Sequence, residues 1–574
     1  MRIVRVLPVL ALLVACQPAA SPTPTPTPTS TSTPTPTSTS TSTSTSTSTS
    51  TSTSTSTLGD AITPAAIAAR TRYLADDALE GRAPGSRGSD LAMKFIAADF
   101  EASGLVPGAD GGKSFLQKVP LVGITAKAPA RVEAQTAKGP LSLRVPEDLV
   151  VMNGVQKKDI TVAPSEIVFV GYGIVAPELG WDDYKDVDVR GKVVLVMNND
   201  PESDPQLFAG TTRLWYGRWD YKYLQAARKG AAAVLLIHTD HSAGYPWQVV
   251  VTSNHREKFE LPAEGEPTLA ARMWLTEDSA KKLASQGGED LDALRASAEK
   301  KEFRPKPLKA KFGITFTNVL RNVDSANVLG LLPGSDAELA KEVVVYTAHH
   351  DHLGVGAAKG GDAIYNGAVD NASGVAALLA IARAAAQAPR SRRSLLFMSV
   401  AAEEQGLLGS EWYCRHPTFA PGRIAADLNM DSMNVFGKTT DVGFVGLGRS
   451  SLDAVVLEIA RAQGRTVHGD AFPDRGSFYR SDQFSFAKIG VPSIFVRGGP
   501  SFAGRPATYG REAVEKFERT HYHQPSDEFD AAWDWAGAVE DAQLLLLAGL
   551  RIAAAPALPA WNAGDEFAKV PRPR

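Results

Sequence analysis

The chain reads as an α/β protein: a mixed, mostly parallel sheet flanked by helices, with an inserted β-rich domain. Three observations predict this. From Asn327 onward short apolar runs alternate with helical stretches: 343–347, a helix after Ser373, 395–400, a helix from Leu407, then 424–430. Such alternation implies a sheet covered on both faces. Between residues 149 and 317 the texture turns β-rich, with Ile167-Val168-Phe169-Val170 and Val193-Val194-Leu195-Val196 bounded by glycines and polar turns. Finally, three of five polar clusters directly follow an apolar strand, where sheets of this kind gather their reactive groups.

In chain order, Arg2 and Arg5 precede an apolar run, 6–15, that ends Leu13-Val14-Ala15-Cys16. A basic start, a short apolar stretch and small residues describe a signal peptide over 1–15. The run is about half of the ~20 residues a spanning helix needs. A cysteine straight after Leu-x-Ala resembles the bacterial lipobox. That resemblance implies a lipid on Cys16 and a membrane-anchored place in the bacterial cell envelope, and Gln17 in place of Asp favours the outer membrane. Residues 21–57 contain only Ser, Thr and Pro. They have nothing apolar to bury, so 16–57 is expected to be a solvated tether, its ends roughly 35 Å apart as a flexible coil.

Residues 58–148 form the first part of the main domain, with helical periodicity from 61 to about 103 broken at Gly81-Arg82-Ala83-Pro84-Gly85. The insert follows over 149–317. There a helix-like stretch, 223–230, leads into the strand-like 231–237. Val189-Arg190-Gly191-Lys192-Val193-Val194 and Ala227-Arg228-Lys229-Gly230-Ala231 resemble the protease-associated domain. Residues 318–574 complete the main domain, with 544–550 expected inside a buried terminal helix rather than a membrane. Cys414, without a partner if Cys16 is lipidated, reads as a small buried hydrophobe. With 60 Lys+Arg against 63 Asp+Glu the net charge is −3, and no basic patch is interleaved with aromatics. A nucleic-acid partner is therefore not expected.

The five clusters carry the chemistry. Ala348-His349-His350-Asp351-His352 follows the apolar run 343–347, and three histidines in four residues are unusual for core packing. Val369-Asp370-Asn371-Ala372-Ser373-Gly374 opens a helix, where an aspartate alone could be an N-cap. Ala401-Ala402-Glu403-Glu404-Gln405-Gly406 places adjacent carboxylates at a strand end, where they repel unless a cation is present. Asn429-Met430-Asp431-Ser432 closes another strand, and His521-Tyr522-His523-Gln524-Pro525-Ser526-Asp527 lies in a loop. Imidazole and carboxylate ligands without thiolates suit catalytic zinc. Five protein ligands, His349, Asp370, Glu404, Asp431 and His523, are too many for one catalytic ion and suit two.

This ordered pattern resembles the dizinc exopeptidases, the family of bacterial leucyl aminopeptidases and aminopeptidase Y. The resemblance covers most of 59–574. It implies a zinc aminopeptidase acting on peptides with two Zn2+ per chain. His349 and Asp431 would hold one ion, Glu404 and His523 the other, and Asp370 would bridge. It implies Asp351 as the carboxylate orienting His349, Glu403 as general base, Tyr522 as an oxyanion stabiliser and a cis peptide at Asp370-Asn371. Rival readings are a one-zinc glutaminyl cyclase, a carboxypeptidase of the same fold and a non-catalytic relative. An aminoacylase type is disfavoured because the large insert precedes His349. His350, His352 and His521 are expected at the rim or behind the ligands, and His238, His241, His255 and His468 at the surface. Arg480-Ser481-Asp482 reads equally as cleft wall or turn.

Overall fold

Strand Val343–His349 lies in the middle of the main sheet, parallel to Ser394–Val400 on one side and Ile424–Asn429 on the other. The computed structural model describes residues 61–574; the signal peptide, Cys16 and the tether to residue 57 lie outside the described residues. Ser493–Gly498 extends the sheet in parallel beside Ile424–Asn429, then Asp441–Val445 runs antiparallel and Thr466–His468 parallel to that. On the far side, the end of the long strand Lys306–Leu332 runs antiparallel to Ser394–Val400, and Val106–Pro107 closes that edge. Every residue of the three central strands is buried, as continuous apolar runs covered on both faces require. Register levels their C-terminal ends: His349 pairs with Val400 and Thr347 with Asn429. The segments after these strands therefore share one edge.

Helices cover the sheet. Gly374–Gln387, rich in Ala and Leu, is almost wholly buried. Ala368–Gln387 is also the one stretch among the described residues long and apolar enough to cross a membrane, but 94% of its apolar window is buried inside the protein. The terminal helix Ala536–Ala554 contains the apolar run 544–550 and packs against the same sheet. It needs Gly549 there, because a Cβ would stand 1.8 Å from the Tyr346 hydroxyl. The first helical region divides as its punctuation predicts. Pro64–Leu74 starts behind a Thr63 cap, and Arg87–Ala102 behind a Ser86 cap. Between them Glu80, Gly81 and Arg82 take positive φ and end the first helical course.

A second core lies in the β-rich unit. Residues 167–169, Val193–Met197, Ala233–His238 and Ala271–Thr276 run parallel, and Leu149–Asn153 closes them antiparallel. Helix Trp219–Arg228 covers one face through Tyr223, Ala226 and Ala227. This core also takes Val132, Ala134, Leu141 and Leu143 from the hairpin Arg131–Thr136 and Gly139–Arg144, so the unit's packing begins ahead of residue 149. At its other end no linker intervenes. Lys306–Leu332 is one 27-residue strand. Leu308, Ala310, Phe312, Ile314 and Phe316 enter the second core at period two, while Val328–Leu332 belong to the main sheet. The 317/318 boundary thus falls within continuous backbone pairing. Cys414 is half-buried beside Val345 and Leu396 rather than fully enclosed.

Candidate metal centre

Each polar cluster reaches the levelled edge by a different local device. His349 is the last residue of the central strand. Glu403 and Glu404 sit in the tight turn that follows Ser394–Val400. Asp431 follows Ile424–Asn429 after one residue. Asp370 lies in the turn before helix Gly374–Gln387, and its peptide bond to Asn371 is cis. His523 follows helix Tyr509–Thr520 with φ +56°.

The five converge. Asp370 presents its two oxygens to different imidazoles: Oδ1 stands 3.3 Å from His349 Nε2, and Oδ2 stands 3.4 Å from His523 Nε2. His349 Nε2 is also 3.7 Å from Asp431 Oδ1 and 3.9 Å from Glu403 Oε2. His523 Nε2 is 3.0 Å from Glu404 Oε2. His349, Glu403 and Asp431 each offer an atom within 4.8 Å of the others, and so do His352, Asp370 and Glu404. Two adjacent donor sets therefore meet at Asp370.

Buried groups hold these loops. The Asp351 carboxylate accepts from the Glu403 and Glu404 backbone N–H groups at 2.9 and 3.3 Å. His349 Nδ1 faces the Asp351 backbone carbonyl at 3.2 Å, with the carboxylate at 3.8 Å. Asp351 thus anchors the glutamate turn with its side chain while both its carbonyl and its carboxylate face His349 Nδ1. Asp527 accepts from the Val369 and Asp370 N–H groups at 2.9 and 3.1 Å. Asn371 donates to the Met430 carbonyl and accepts from Gly374 and Ser432, tying the Asp370 turn to the Asp431 strand end. Arg82, wholly buried, donates to the carbonyls of His350, Asn366 and Gly367.

Charge here is unbalanced. Burial raises Glu403 well above the usual carboxylate range, opposed by His349 and reinforced by Asp482, Glu404 and Asp431. Burial likewise pushes Asp351 and Asp527 up to about 7. Burial would raise Glu404 too, but His523 and His352 outweigh it and hold that carboxyl low. Burial would depress His523, yet Glu404 and Asp370 push it up to about 9. Arg82 is drawn down to about 10 by burial, against the pull of Asp351, Asp527, Asp370 and Glu404.

A cation fits this arrangement. His349 Nε2, both ring nitrogens of His352 and Glu404 Oε1 are buried without a hydrogen-bond partner. His352 Nδ1 lies 2.7 Å from Glu404 Oε1, yet the pair is not aligned as a hydrogen bond. Buried polar atoms are rarely left unpaired. Lone pairs of imidazole and carboxylate turned toward one another are satisfied when a positive ion stands between them.

Of the two places expected for His350 and His352, both take the one behind the cluster: both are buried, His350 with Nδ1 3.1 Å from Ser399 Oγ, and burial pushes it down to about 3. His238 is buried rather than at the surface, with Nε2 3.0 Å from the Tyr245 carbonyl. His468 is half-buried, with Nε2 3.3 Å from Asp441. Tyr522 stacks on His523, ring centroids 3.9 Å apart. Asp482 lies beneath the site and accepts from Ser410 at 2.6 Å. Arg82 and Asp527 were not singled out in the sequence. Their visible signals are an arginine inside a Gly/Pro helix break and an aspartate four residues after a candidate ligand.

The centre opens into a cavity of about 650 Å³ lined by Glu403, Asp431, Tyr522 and His523 from the main domain and by Tyr245 and Pro246 from the β-rich unit. The β-rich unit also reaches the cluster: Ser253 Oγ is 3.5 Å from His523 Nδ1, and Arg256 donates to the carbonyl of Leu353, the residue after His352.

Fold and site together define an α/β protein with a buried imidazole–carboxylate cluster at the C-terminal edge of its sheet. Residues 327–547 match the model of Peptidase family M28. An aminopeptidase from Aneurinibacillus sp. strain AM-1 is similar in structure, with TM-score 0.52 and 18% identity over 88% of this chain and 97% of that one. The zinc aminopeptidase BSAP from Bacillus subtilis aligns with TM-score 0.45 and 17% identity over 89% of this chain and 98% of that one. A vacuolar membrane protease of Candida dubliniensis is 30% identical over 133 residues, which span 22% of this chain and 13% of that protein's length.

Proposed function

We propose that the chain is a zinc exopeptidase that removes N-terminal residues from peptides with two ions per chain. One observation carries this reading: the two oxygens of Asp370 face His349 and His523 separately, at 3.3 and 3.4 Å. His349 and Asp431 would hold one ion, Glu404 and His523 the other, and Asp370 both, with His352 beside the second. Zinc is the metal named for the Bacillus subtilis protein. The donors here, imidazole and carboxylate without thiolate, suit it.

When bound, zinc supplies Lewis acidity that acidifies water and polarises a carbonyl. The chain's own groups supply the proton handling. Glu403 lines the cavity. It would take the proton of the attacking water and deliver it to the leaving amine. Tyr522, which burial keeps protonated, would donate to the oxyanion. Asp351 and Asp527 keep the Glu403 turn and the Asp370 turn in place through backbone N–H groups.

The test couples zinc analysis to a panel of free and N-blocked peptides. Two zinc ions per chain with cleavage only of free N-termini is expected. One zinc with cyclisation of N-terminal Gln, or release of residues from the C-terminus of blocked peptides, would replace the reading. The β-rich unit would be a protease-associated insert forming part of the cleft wall. Anchoring through lipid on Cys16 belongs to the same proposal, and loss of detergent-phase partitioning in Cys16→Ser would support it.

A further inference from the structure

Arg480 lines the same cavity as Glu403, Asp431 and His523. Its Nη2 donates to the Tyr522 hydroxyl at 3.4 Å, and its guanidinium lies 5.6 Å from the Tyr245 ring centroid. Among the described residues no carboxylate comes within 4.0 Å of it. Of the other arginines lining the cavity, Arg475 is paired with Glu518 and Arg511 lies 3.8 Å from Glu515, whereas Arg497 and Arg519 share with Arg480 the lack of a carboxylate within 4.0 Å.

Two more guanidinium groups come up behind it from the β-rich unit. Arg218 has a side chain only 11% exposed, its nearest acid is Asp220 at 3.9 Å, and its Nε has no hydrogen-bond partner. Arg213 is 3% exposed and its Nη2 has no partner. Burial pushes Arg213 down to about 10, Asp200 opposes this, and Arg218 and Arg480 add to the depression. Like charges gathered in a poorly hydrated wall repel unless an anion joins them. A guanidinium fork matches a carboxylate bidentately, whereas a neutral amide cannot use its charge. Position follows from the neighbours: Arg480 is one tyrosine from His523, since Tyr522 hydrogen-bonds the first and stacks on the second.

We propose that Arg480, backed by Arg218, forms a carboxylate-binding subsite of the cleft, so that the enzyme favours peptides carrying a carboxylate close to the cleaved bond. The inference rests on the exopeptidase reading. The carboxylate could be the free C-terminus of a short peptide or an acidic side chain, and matched substrates separate the two. Leu-Ala is compared with Leu-Ala amide, and Leu-Glu amide with Leu-Gln amide, on zinc-loaded enzyme. In at least one pair the charged member should have a kcat/KM about tenfold or more higher, mostly through KM. Arg480→Gln should abolish that preference, and Arg480→Lys should restore part of it. Tyr522→Phe should slow charged and amidated substrates alike.

Equal turnover within both pairs overturns the subsite and leaves the exopeptidase intact. An equal fall for charged and amidated substrates in Arg480→Gln also overturns it and makes Arg480 a positioning residue for Tyr522. Binding decides the matter independently of turnover. Glutarate measured calorimetrically on zinc-loaded protein should bind wild type about tenfold or more tighter than Arg480→Gln. Unchanged glutarate binding sinks the subsite. Hydrolysis of none of the four peptides sinks the exopeptidase reading, and glutarate then still tests the arginine wall.

Discussion

Two of the charged clusters buried among the described residues invite comparison, one in the β-rich unit and one at the edge of the main sheet. In the first, Lys222 donates to the carbonyls of Asn199 and Tyr216 at 2.7 and 2.5 Å. Asp183 accepts from Ile174 N–H and the Trp181 indole, and Asp200 from Leu214 N–H. Burial pushes Lys222 down to about 7 and both aspartates up to about 7, while the opposite charges resist. None of these three side chains has a buried atom without a partner. At the sheet edge, by contrast, Asp351, Asp370, Glu403, Glu404, Asp431, Asp482 and Asp527 face a handful of imidazoles and Arg82, and four atoms of His349, His352 and Glu404 are orphaned. A cluster that closes on itself is architecture. One that carries surplus acid and open lone pairs is suited to holding a cation.

Breaking the open cluster at its shared member should have the largest effect. Asp370→Ala is expected to lose bound zinc and at least about a thousandfold in turnover, read by metal analysis and peptide hydrolysis. A variant that kept both ions would undo the reading of Asp370 as the bridge. Glu403→Gln sharpens the contrast from within: zinc content should hold while kcat falls about 10²–10⁴-fold. An active, zinc-loaded Glu403→Gln enzyme would remove Glu403 from proton transfer.

The closed cluster should answer in stability instead. Lys222→Met strands two aspartates and should cost about 3–5 kcal/mol in denaturant unfolding, with zinc per folded chain unchanged. Asp351→Asn keeps the shape and weakens its grip on the glutamate turn, so zinc affinity or activity should drop about 10–100-fold. Ser253→Ala should matter least. Its 3.5 Å approach to His523 is at the limit of a hydrogen bond, and zinc affinity should change by at most about threefold.

Three of the clusters that converge were legible because they stand where apolar strands stop. His349, Glu403-Glu404 and Asp431 each follow such a run, and parallel pairing levels those ends. His352 was harder to read. Nothing in Asp351-His352-Leu353 distinguishes a buried imidazole from one at the rim, and only the packing of the Asp370 turn over it encloses the ring. Asp527 and Arg82 act on backbone N–H and carbonyl groups of distant segments, and backbone groups carry no residue-type signal. That the hairpin 131–144 packs in the second core was not legible for a related reason: alternating strands look alike whichever core they face.

The sequence by itself determined the alternation of strands and helices, the kinds of donor atom and their order along the chain, since these depend on local periodicity and residue chemistry. Tertiary structure decided which oxygen of Asp370 faces which histidine, that Asp351 serves the glutamate turn, and that arginines of the β-rich unit stand behind Arg480. Those outcomes depend on distances of a few ångströms between segments tens to hundreds of residues apart, and only the packed chain sets them.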